Sequence, residues 1–339
     1  MGNYILKRLV SLCITVAGIA IVTFFLSLIV PIDPLAAIAG PQADPETVER
    51  LRAVYGFDQP LHVQFFRYVE RLAHFDLGMS FQTGRPVLDD IIYFFPATFE
   101  LASIAMIIAI VFGIPLGVIS AVKRNSFLDQ AARVISLIGV SMPVFWLGLV
   151  LLLIFYFKLS WLPEPGRLDI MLIEPPRITG MLLIDSIIAG DWEVFQDALM
   201  HSIMPATVLG LFGLAGIARI ARSSMLDVLS QEYVKTARIK GLSEFWVIVR
   251  HAFPNALVPT VTMIGLTYGG LLEGAVLTET IFSWPGLGRY LTVAFLTLDL
   301  NAIVGGTMLV AISYSLVNLL VDLLYAYLNP KITLAKGEG

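Results

Sequence analysis

Uncharged apolar stretches constrain this chain more than any other feature. A helix needs about 20 consecutive apolar residues to cross the hydrocarbon of a bilayer. Residues 9–30, 101–122, 134–157 and 300–321 are runs of that order without a single Asp, Glu, Lys or Arg. Two further stretches are weaker: 202–218 is uncharged between His201 and Arg219, and 255–278 is interrupted only by Glu273. A large soluble core could also account for a chain that is 57% hydrophobic and 14% charged. Soluble helices rarely run so long without a charge, however, so the blocks predict an all-α integral membrane protein with six transmembrane helices. The segment 178–190 is too short for a seventh span and is split by Asp185; it is expected to be a helix at or outside the membrane surface.

The flanks of these runs predict an orientation. Six spans put both termini on one side, and positively charged residues are retained in the cytoplasm. With the N-terminus inside, Lys7, Lys123, Lys235, Lys240, Lys331 and Lys336 fall on cytoplasmic segments and Lys158 falls outside. Arginine is split about evenly, so the lysines and the closing Asn329-Pro330-Lys331 carry the N-in, C-in expectation. Lys7-Arg8, the first apolar run and Ala37-Ile38-Ala39 imitate a secretion signal. The run is longer than a usual signal core, and Pro31-Ile32-Asp33-Pro34 separates it from the small residues, so a retained first span is expected.

Three regions result: 1–98, a first span with a long external segment; 99–330, a five-helix core; and a cytoplasmic tail, 331–339. Within the external segment, Asp44-Pro45-Glu46 reads as an N-cap with proline at the first helical position. Val48, Leu51 and Tyr55 follow at helical spacing, with Gly56 to end the turn. After Pro60, Leu61, Phe65, Tyr68 and Leu72 form a second apolar stripe.

The segment 223–254 lies between the fourth and fifth spans and is cytoplasmic in this topology. It reads as two short helices about a glycine. The first, near 227–240, places Leu229, Tyr233, Ala237 and Lys240 on one side. Lys240-Gly241 suits a helix end, because glycine takes the left-handed conformation without steric cost. Ser243 is placed to cap a second helix over 244–253, with Phe245, Ile248, Val249 and Ala252 as its apolar face and Pro254 at the entry to the fifth span. A compact helix–glycine–helix element under a bundle suits the transmission of movement from a partner.

The run Glu232-Tyr233-Val234-Lys235-Thr236-Ala237-Arg238-Ile239-Lys240-Gly241-Leu242-Ser243 resembles the EAA loop of ATP-binding-cassette importer permeases, in its dipeptide/oligopeptide form. Gly241 and Pro254 keep the family's glycine-to-proline spacing. Lys235 and Thr236 stand where many importers have glutamate and alanine, and Ala237 matches; a basic residue followed by Thr-Ala is usual in the peptide branch. Gly113-Ile114-Pro115-Leu116-Gly117, Ser141-Met142-Pro143-Val144-Phe145-Trp146 and Arg222-Ser223-Ser224-Met225-Leu226 extend the similarity. So do Leu277-Thr278-Glu279-Thr280-Ile281-Phe282-Ser283-Trp284-Pro285-Gly286-Leu287-Gly288-Arg289 and the run from Val317 to Tyr325. The resemblance implies the type I importer permease fold and the first of two related permease subunits. It also implies two cytoplasmic ATPase subunits, which would carry the ATP and magnesium, and a periplasmic substrate-binding protein. No cofactor is expected on this chain. Dipeptides or oligopeptides are the implied cargo, with nickel chelates, glutathione, haem and some sugars handled by relatives.

Other constellations are weaker. A phosphate-binding loop of the form Gly, four residues, Gly-Lys-Ser/Thr does not occur in the sequence, so the chain is not expected to hydrolyse ATP. The net charge of −4 gives no footprint for nucleic acid. His62, His74, His201 and His251 lack the close helical spacing of a metal pair, and one cysteine, Cys13, permits no internal disulfide. Charged residues inside spans are candidates for function. Glu100 and Glu273, together with Glu279, Trp284, Pro285 and Gly286, are therefore candidates for the translocation path or its gate. The Trp-Pro-Gly-Leu-Gly run is expected to be a non-helical element folded back at the outer mouth. Gly113-xxx-Gly117 and Gly265-xxx-Gly269 suit close helix packing, and Pro115, Pro143 and Pro205 are expected to kink their spans. Asn318 and Asp322 share one helix face, with Asp322 near enough to the cytoplasmic end to reach water. A secondary transporter or channel without ATPase partners remains the alternative; it would show more intramembrane charge or an internal repeat. A membrane-embedded enzyme would need a catalytic cluster that the sequence does not display.

Overall fold

The computed structural model describes residues 2–29, 44, 46, 49–50 and 58–328. The expected helix carrying Val48, Leu51, Tyr55 and Gly56, the Asn329-Pro330-Lys331 end and the tail at 331–339 with Lys336 lie outside the described residues. Helices dominate, with one isolated bridge between Met79 and Pro86 among the described residues. The chain divides into two compact units, one of Gly2–Phe94 with Tyr290–Ile312 and one of Phe95–Arg289 with the described residues from Ser313 onward.

The first unit opens with α1 (Gly2–Ile29), followed by α2 (Leu61–Ala73). The stripe expected on α2 does meet the first apolar helix. The Phe65 ring lies 5.2 Å from that of Phe24, and the Tyr68 hydroxyl is 2.9 Å from Thr23 Oγ1. In the same unit Asp299 accepts hydrogen bonds from the Ser80 hydroxyl at 2.6 Å and the Gln82 amide at 3.2 Å.

The second unit takes most of α3 (Val87–Val122), then α4 (Phe127–Ser141) and α5 (Val144–Leu151), which continues as a π-helical stretch, Leu152–Lys158. After α6 (Leu182–Ala189) come α7 (Trp192–Leu229), α8 (Glu232–Ile239) and α9 (Glu244–Trp246). A second π stretch, Val247–Ala252, runs into α10 (Phe253–Ile281); α11 (Leu287–Thr297) and α12 (Leu300–Leu328), the last described helices, are each shared with the first unit. The core of this unit sets Leu101, Ala102, Ala105 and Ala109 of α3 against Leu209, Leu214 and Ile217 of α7 and Leu271, Leu272 and Ala275 of α10. Small residues dominate the α3 side because helices in lipid gain little from apolar burial itself and associate through close contact. A Cβ on Gly117 would lie 2.5 Å from the Ala218 carbonyl oxygen and 2.8 Å from Ala221 Cβ, so α3 and α7 touch backbone to backbone there. The Gly265/Gly269 pair makes room on α10 for the side chains of Val321 and Tyr314 of α12.

Several expectations are corrected. The third apolar run is two helices, whose axes meet at 103° across the break at Met142-Pro143. Pro143 has no amide hydrogen and drives Met142 out of the helical region; Met142 is extended, with ψ 130°. Pro115 and Pro205, by contrast, stand inside continuous helices. The helix that holds the fourth apolar stretch runs past residue 223, to Leu229. Pro254 stands in the first turn of α10, where the winding changes from the π stretch to the α-helix, and helical structure runs on from Glu244 to Ile281. Among the described residues, four helices are long and apolar enough to cross a membrane, or five if the broken pair counts as one, and Cys13–Phe25 of α1 is a shorter apolar helix. Within 178–190 the helix is limited to Leu182–Ala189 and closes on Gly190 at φ 71°.

Replacing Gly117 with valine is expected to push α3 off α7 and destabilise the fold by about 1–3 kcal/mol, the usual cost of overpacking. Thermal unfolding in detergent measures it; an unchanged midpoint would mean that the two backbones do not touch.

Candidate functional site

The EAA-like segment folds into an elbow. α8 ends at Ile239, Gly241 turns at φ 81°, and α9 starts after Ser243. The Gly241 amide donates to the Arg238 carbonyl at 3.0 Å, closing the turn. Val234 and Ala237 of α8 are buried with Val247, and Val228 and Leu229 pack against them. Ala237 thus provides close approach inside the elbow itself. The Arg238 guanidinium donates twice to the Glu244 carboxylate, at 2.7 and 3.1 Å, and so ties the two arms together across the glycine. Lys235 pairs with Glu232 at 2.7 Å, and the Thr236 hydroxyl donates to the Glu232 carbonyl at 2.9 Å.

What the elbow leaves exposed is apolar as well as basic. Tyr233, Ile239, Leu242, Phe245 and Trp246 are all exposed, Ile239 by 85%, and Lys240 and Ser243 lie beside them. Leu242, Trp246, Arg250 and His251 border a groove of about 410 Å³. The expected stripe of Leu229, Tyr233, Ala237 and Lys240 is not one face. α7 stops at Leu229, so helical register is not carried across Ser230-Gln231 into α8, and Ala237 points in while Tyr233 and Lys240 point out. The expected face of Phe245, Ile248, Val249 and Ala252 is divided too, because the π stretch widens the turn: Ala252 is buried, whereas Phe245 and Val249 are exposed.

At the other end of α10 the Trp-Pro-Gly-Leu-Gly run is only partly irregular. Residues 282–286 form turns, and Leu287 and Gly288 already belong to α11. Glu279, fully buried, organises this corner. Its Oε1 accepts from the Thr98 hydroxyl at 2.6 Å and its Oε2 from the Arg289 amide at 3.0 Å, while the Leu287 amide donates to Thr98 Oγ1 at 2.8 Å. The Trp284 indole donates to the Ala97 carbonyl at 2.9 Å. A side chain on Gly286 would overlap the Glu279 carboxylate, and a Cβ on Gly288 would lie 2.6 Å from Val276 Cα. Pro285, just before Gly286, is half-buried.

Glu100 joins the same corner through a residue that the sequence reading did not single out. Arg167 donates to Glu100 Oε2 at 2.5 and 3.2 Å and to the Gly180 carbonyl at 3.0 Å, and its guanidinium stands 5.7 Å from the centre of the Trp284 ring. Glu100 Oε1 accepts from the Leu183 amide at 2.7 Å. Asp185, in turn, accepts from the amides of Ile178, Thr179 and Gly180 and from the Thr179 hydroxyl, at 2.7–3.3 Å. Burial pushes this carboxyl upward, but the four donors outweigh it and hold it below the ordinary carboxylate range. Glu100, Glu279, Trp284 and Gly286 are thus brought into one bonded network. Glu273 is not part of it and is exposed on α10.

Substituting Asp185 with Asn is expected to cost about 1–3 kcal/mol at neutral pH, because buried donors lose a charged acceptor. A depressed native value means that the contribution is complete above the unfolded value of about 4 and is lost as pH falls through the native one. The stability gap between parent and variant, followed by thermal unfolding in detergent, should therefore close in acid. A gap unchanged at pH 3 would refute the role of the charge.

Comparison with known proteins places this architecture. Residues 113–334 match the family described as binding-protein-dependent transport system inner membrane component, and residues 1–102 match its N-terminal family. The probable D,D-dipeptide transport system permease protein of Escherichia coli K12 is 47% identical over 98% of each chain. The dipeptide transport system permease protein of the same strain is 45% identical over 98% of this chain and 99% of its own. A glutathione transport system permease protein of Salmonella paratyphi A is 39% identical over 98% and 99%. Among solved structures, the inward-facing MetNI methionine ABC transporter shares the fold, with a TM-score of 0.50 at 17% identity over 69% of this chain and 93% of that one. A predominantly helical chain matched from end to end in this way belongs to the inner-membrane components of binding-protein-dependent transport systems, multi-pass permeases of the type I importer fold.

Proposed function

We propose that this chain is the transmembrane half-channel of an ATP-driven importer of dipeptides or short oligopeptides, with the elbow at Gly241 as its contact with the ATPases. The observation that carries the reading is the construction of the elbow. Its inward side chains, Val234, Ala237 and Val247, fix it to the base of α7 and to the helix leading into α10. Its outward side chains, Tyr233, Ile239, Leu242, Phe245 and Trp246, are large and apolar. Such groups in water are disfavoured, and a cytoplasmic partner's groove would cover them. Permeases named for dipeptide transport among the relatives support the peptide cargo.

In this proposal the chain takes six spans with both termini in the cytoplasm. It pairs with a homologous permease subunit, receives substrate from a periplasmic binding protein, and binds no cofactor itself. Two cytoplasmic ATPases hold the ATP and magnesium. Closure of those ATPases moves the elbows, and the helices attached to them exchange inward-open and outward-open arrangements. The Glu279–Trp284–Gly286 corner acts as the outer gate region, and Glu273, exposed on α10, faces the second permease or the path. The binding protein makes the main choice of cargo, so the ligand that it carries identifies the substrate.

Gly241→Val tests the elbow. A β-branched residue is strained at φ 81°, by about 1–3 kcal/mol, and the strain is local to an exposed turn. The variant should insert and accumulate in the membrane normally, yet fail to retain the ATPase subunits on purification and lose peptide-stimulated ATP hydrolysis. Full transport by the variant would sink the proposal.

A further inference from the structure

A second polar site lies at the opposite end of α3 from Thr98. α3, α4 and α7 line an open cavity of about 440 Å³, whose wall includes three arginines, Arg133, Arg219 and Arg222, and no acidic side chain. Behind it Asp129, fully buried, accepts from Arg133 at 2.6 and 3.2 Å, from Arg222 at 2.9 and 3.1 Å and from the Ser120 hydroxyl at 2.5 Å. One carboxylate therefore holds two guanidinium groups in place but cancels only one charge. Each of those arginines spends its Nε and one terminal nitrogen on this cluster, which leaves its other terminal nitrogen without a partner among the described residues.

Arg219 adds a further positive charge, and among the described residues it has no ion pair or hydrogen bond; the hydroxyls of Ser136 and Ser223 in the same wall have none either. Guanidinium groups and hydroxyls that line one cavity, with no carboxylate in its wall, suit a tetrahedral oxyanion, which accepts several charge-assisted hydrogen bonds at once. The depth of the cavity narrows the choice of ligand. Arg219 follows directly on the uncharged stretch 202–218, Arg133 directly precedes the uncharged stretch 134–157, and Ser120 lies near the end of 101–122. All three helices reach the cavity where their apolar stretch gives way to charge, which is the level of lipid headgroups. The remaining wall, Leu116, Ala132, Leu137 and Ala218, is apolar.

We infer that this cavity binds the phosphate of an anionic phospholipid headgroup, with Arg219, Ser136 and Ser223 as direct donors and Asp129 as the residue that positions Arg133 and Arg222. The inference concerns a boundary position and holds for either orientation of the chain in the membrane.

The test uses the purified full-length chain in detergent micelles, titrated with spin-labelled phosphatidylglycerol, with spin-labelled phosphatidylcholine and with inorganic phosphate as competitor. Saturable binding of phosphatidylglycerol over phosphatidylcholine is expected. Arg219→Gln should weaken it about fivefold, the effect of removing one arginine charge at a lipid surface, and Arg219→Lys should keep most of it. Arg250→Gln, a control on the exposed elbow, should leave it unchanged. If inorganic phosphate displaces the lipid at equal affinity and with the same Arg219 dependence, the anion site stands and its ligand is soluble. Equal binding of both lipids, or indifference to Arg219→Gln in every arm, overturns the inference. Arg219 lies outside the Asp129 cluster, so the variant retains the bonds that hold the three helices together.

Discussion

A carboxylate with no access to water organises one end of the core unit. Glu279 ends the apolar length of α10, and burying it there is costly unless donors surround it. Thr98 supplies a hydroxyl and Arg289 an amide. Both requirements are geometric. The first residues of the core part of α3 must lie beside the last turn of α10, and the chain after α10 must double back at once. Glycine at 286 and 288 is what lets that return segment come close enough. Trp284 then plugs the corner, with its ring buried and its indole hydrogen on the Ala97 carbonyl. Arg167 draws the segment before α6 onto Glu100 and the Trp284 ring. One interaction thus dictates the order of packing for parts of the chain that are far apart in sequence.

Much of this was legible in the residues. Apolar block length gave the helices of the core, and the glycine pairs gave their close contacts at Gly117 and Gly265. Gly241 gave the turn of the elbow, where a positive φ is found. Two kinds of feature escaped. Local register was overestimated wherever a helix changed its winding: the π stretches at Leu152–Lys158 and Val247–Ala252 preserve backbone hydrogen bonding but shift every later side chain, which composition does not announce. Long-range polar pairs escaped as well. Arg167 carries no local signal, because its partner Glu100 is far away in sequence and was read as a separate candidate. Asp129 and Arg133, four apart on α4, could have been paired by spacing, but Arg222 joins them from α7.

The two ends of the core unit use polar groups in contrasting ways. Around Glu279 a buried carboxylate is bound by neutral donors from backbone and hydroxyl, which fixes a fold-back in one geometry. Around Asp129 the carboxylate is outnumbered by guanidinium groups, so the charge left over is positive and faces a cavity. The elbow adds a third pattern, an exposed bidentate pair, Arg238 with Glu244. Pairs this accessible add little to stability; its value lies in keeping two short arms at a constant angle about Gly241.

The uninterrupted helix from Glu244 to Ile281 has a mechanical corollary. It spans 38 residues, about 57 Å at the α-helical rise, and joins the elbow at one tip to the Glu279 corner at the other. Treated as a stiff lever, it multiplies distance: a tilt of about 10° at the elbow carries the far tip sideways by about 10 Å, since length along a helix scales directly with residue count. A small rotation at one tip of this helix is thus a displacement larger than the width of a side chain at the other.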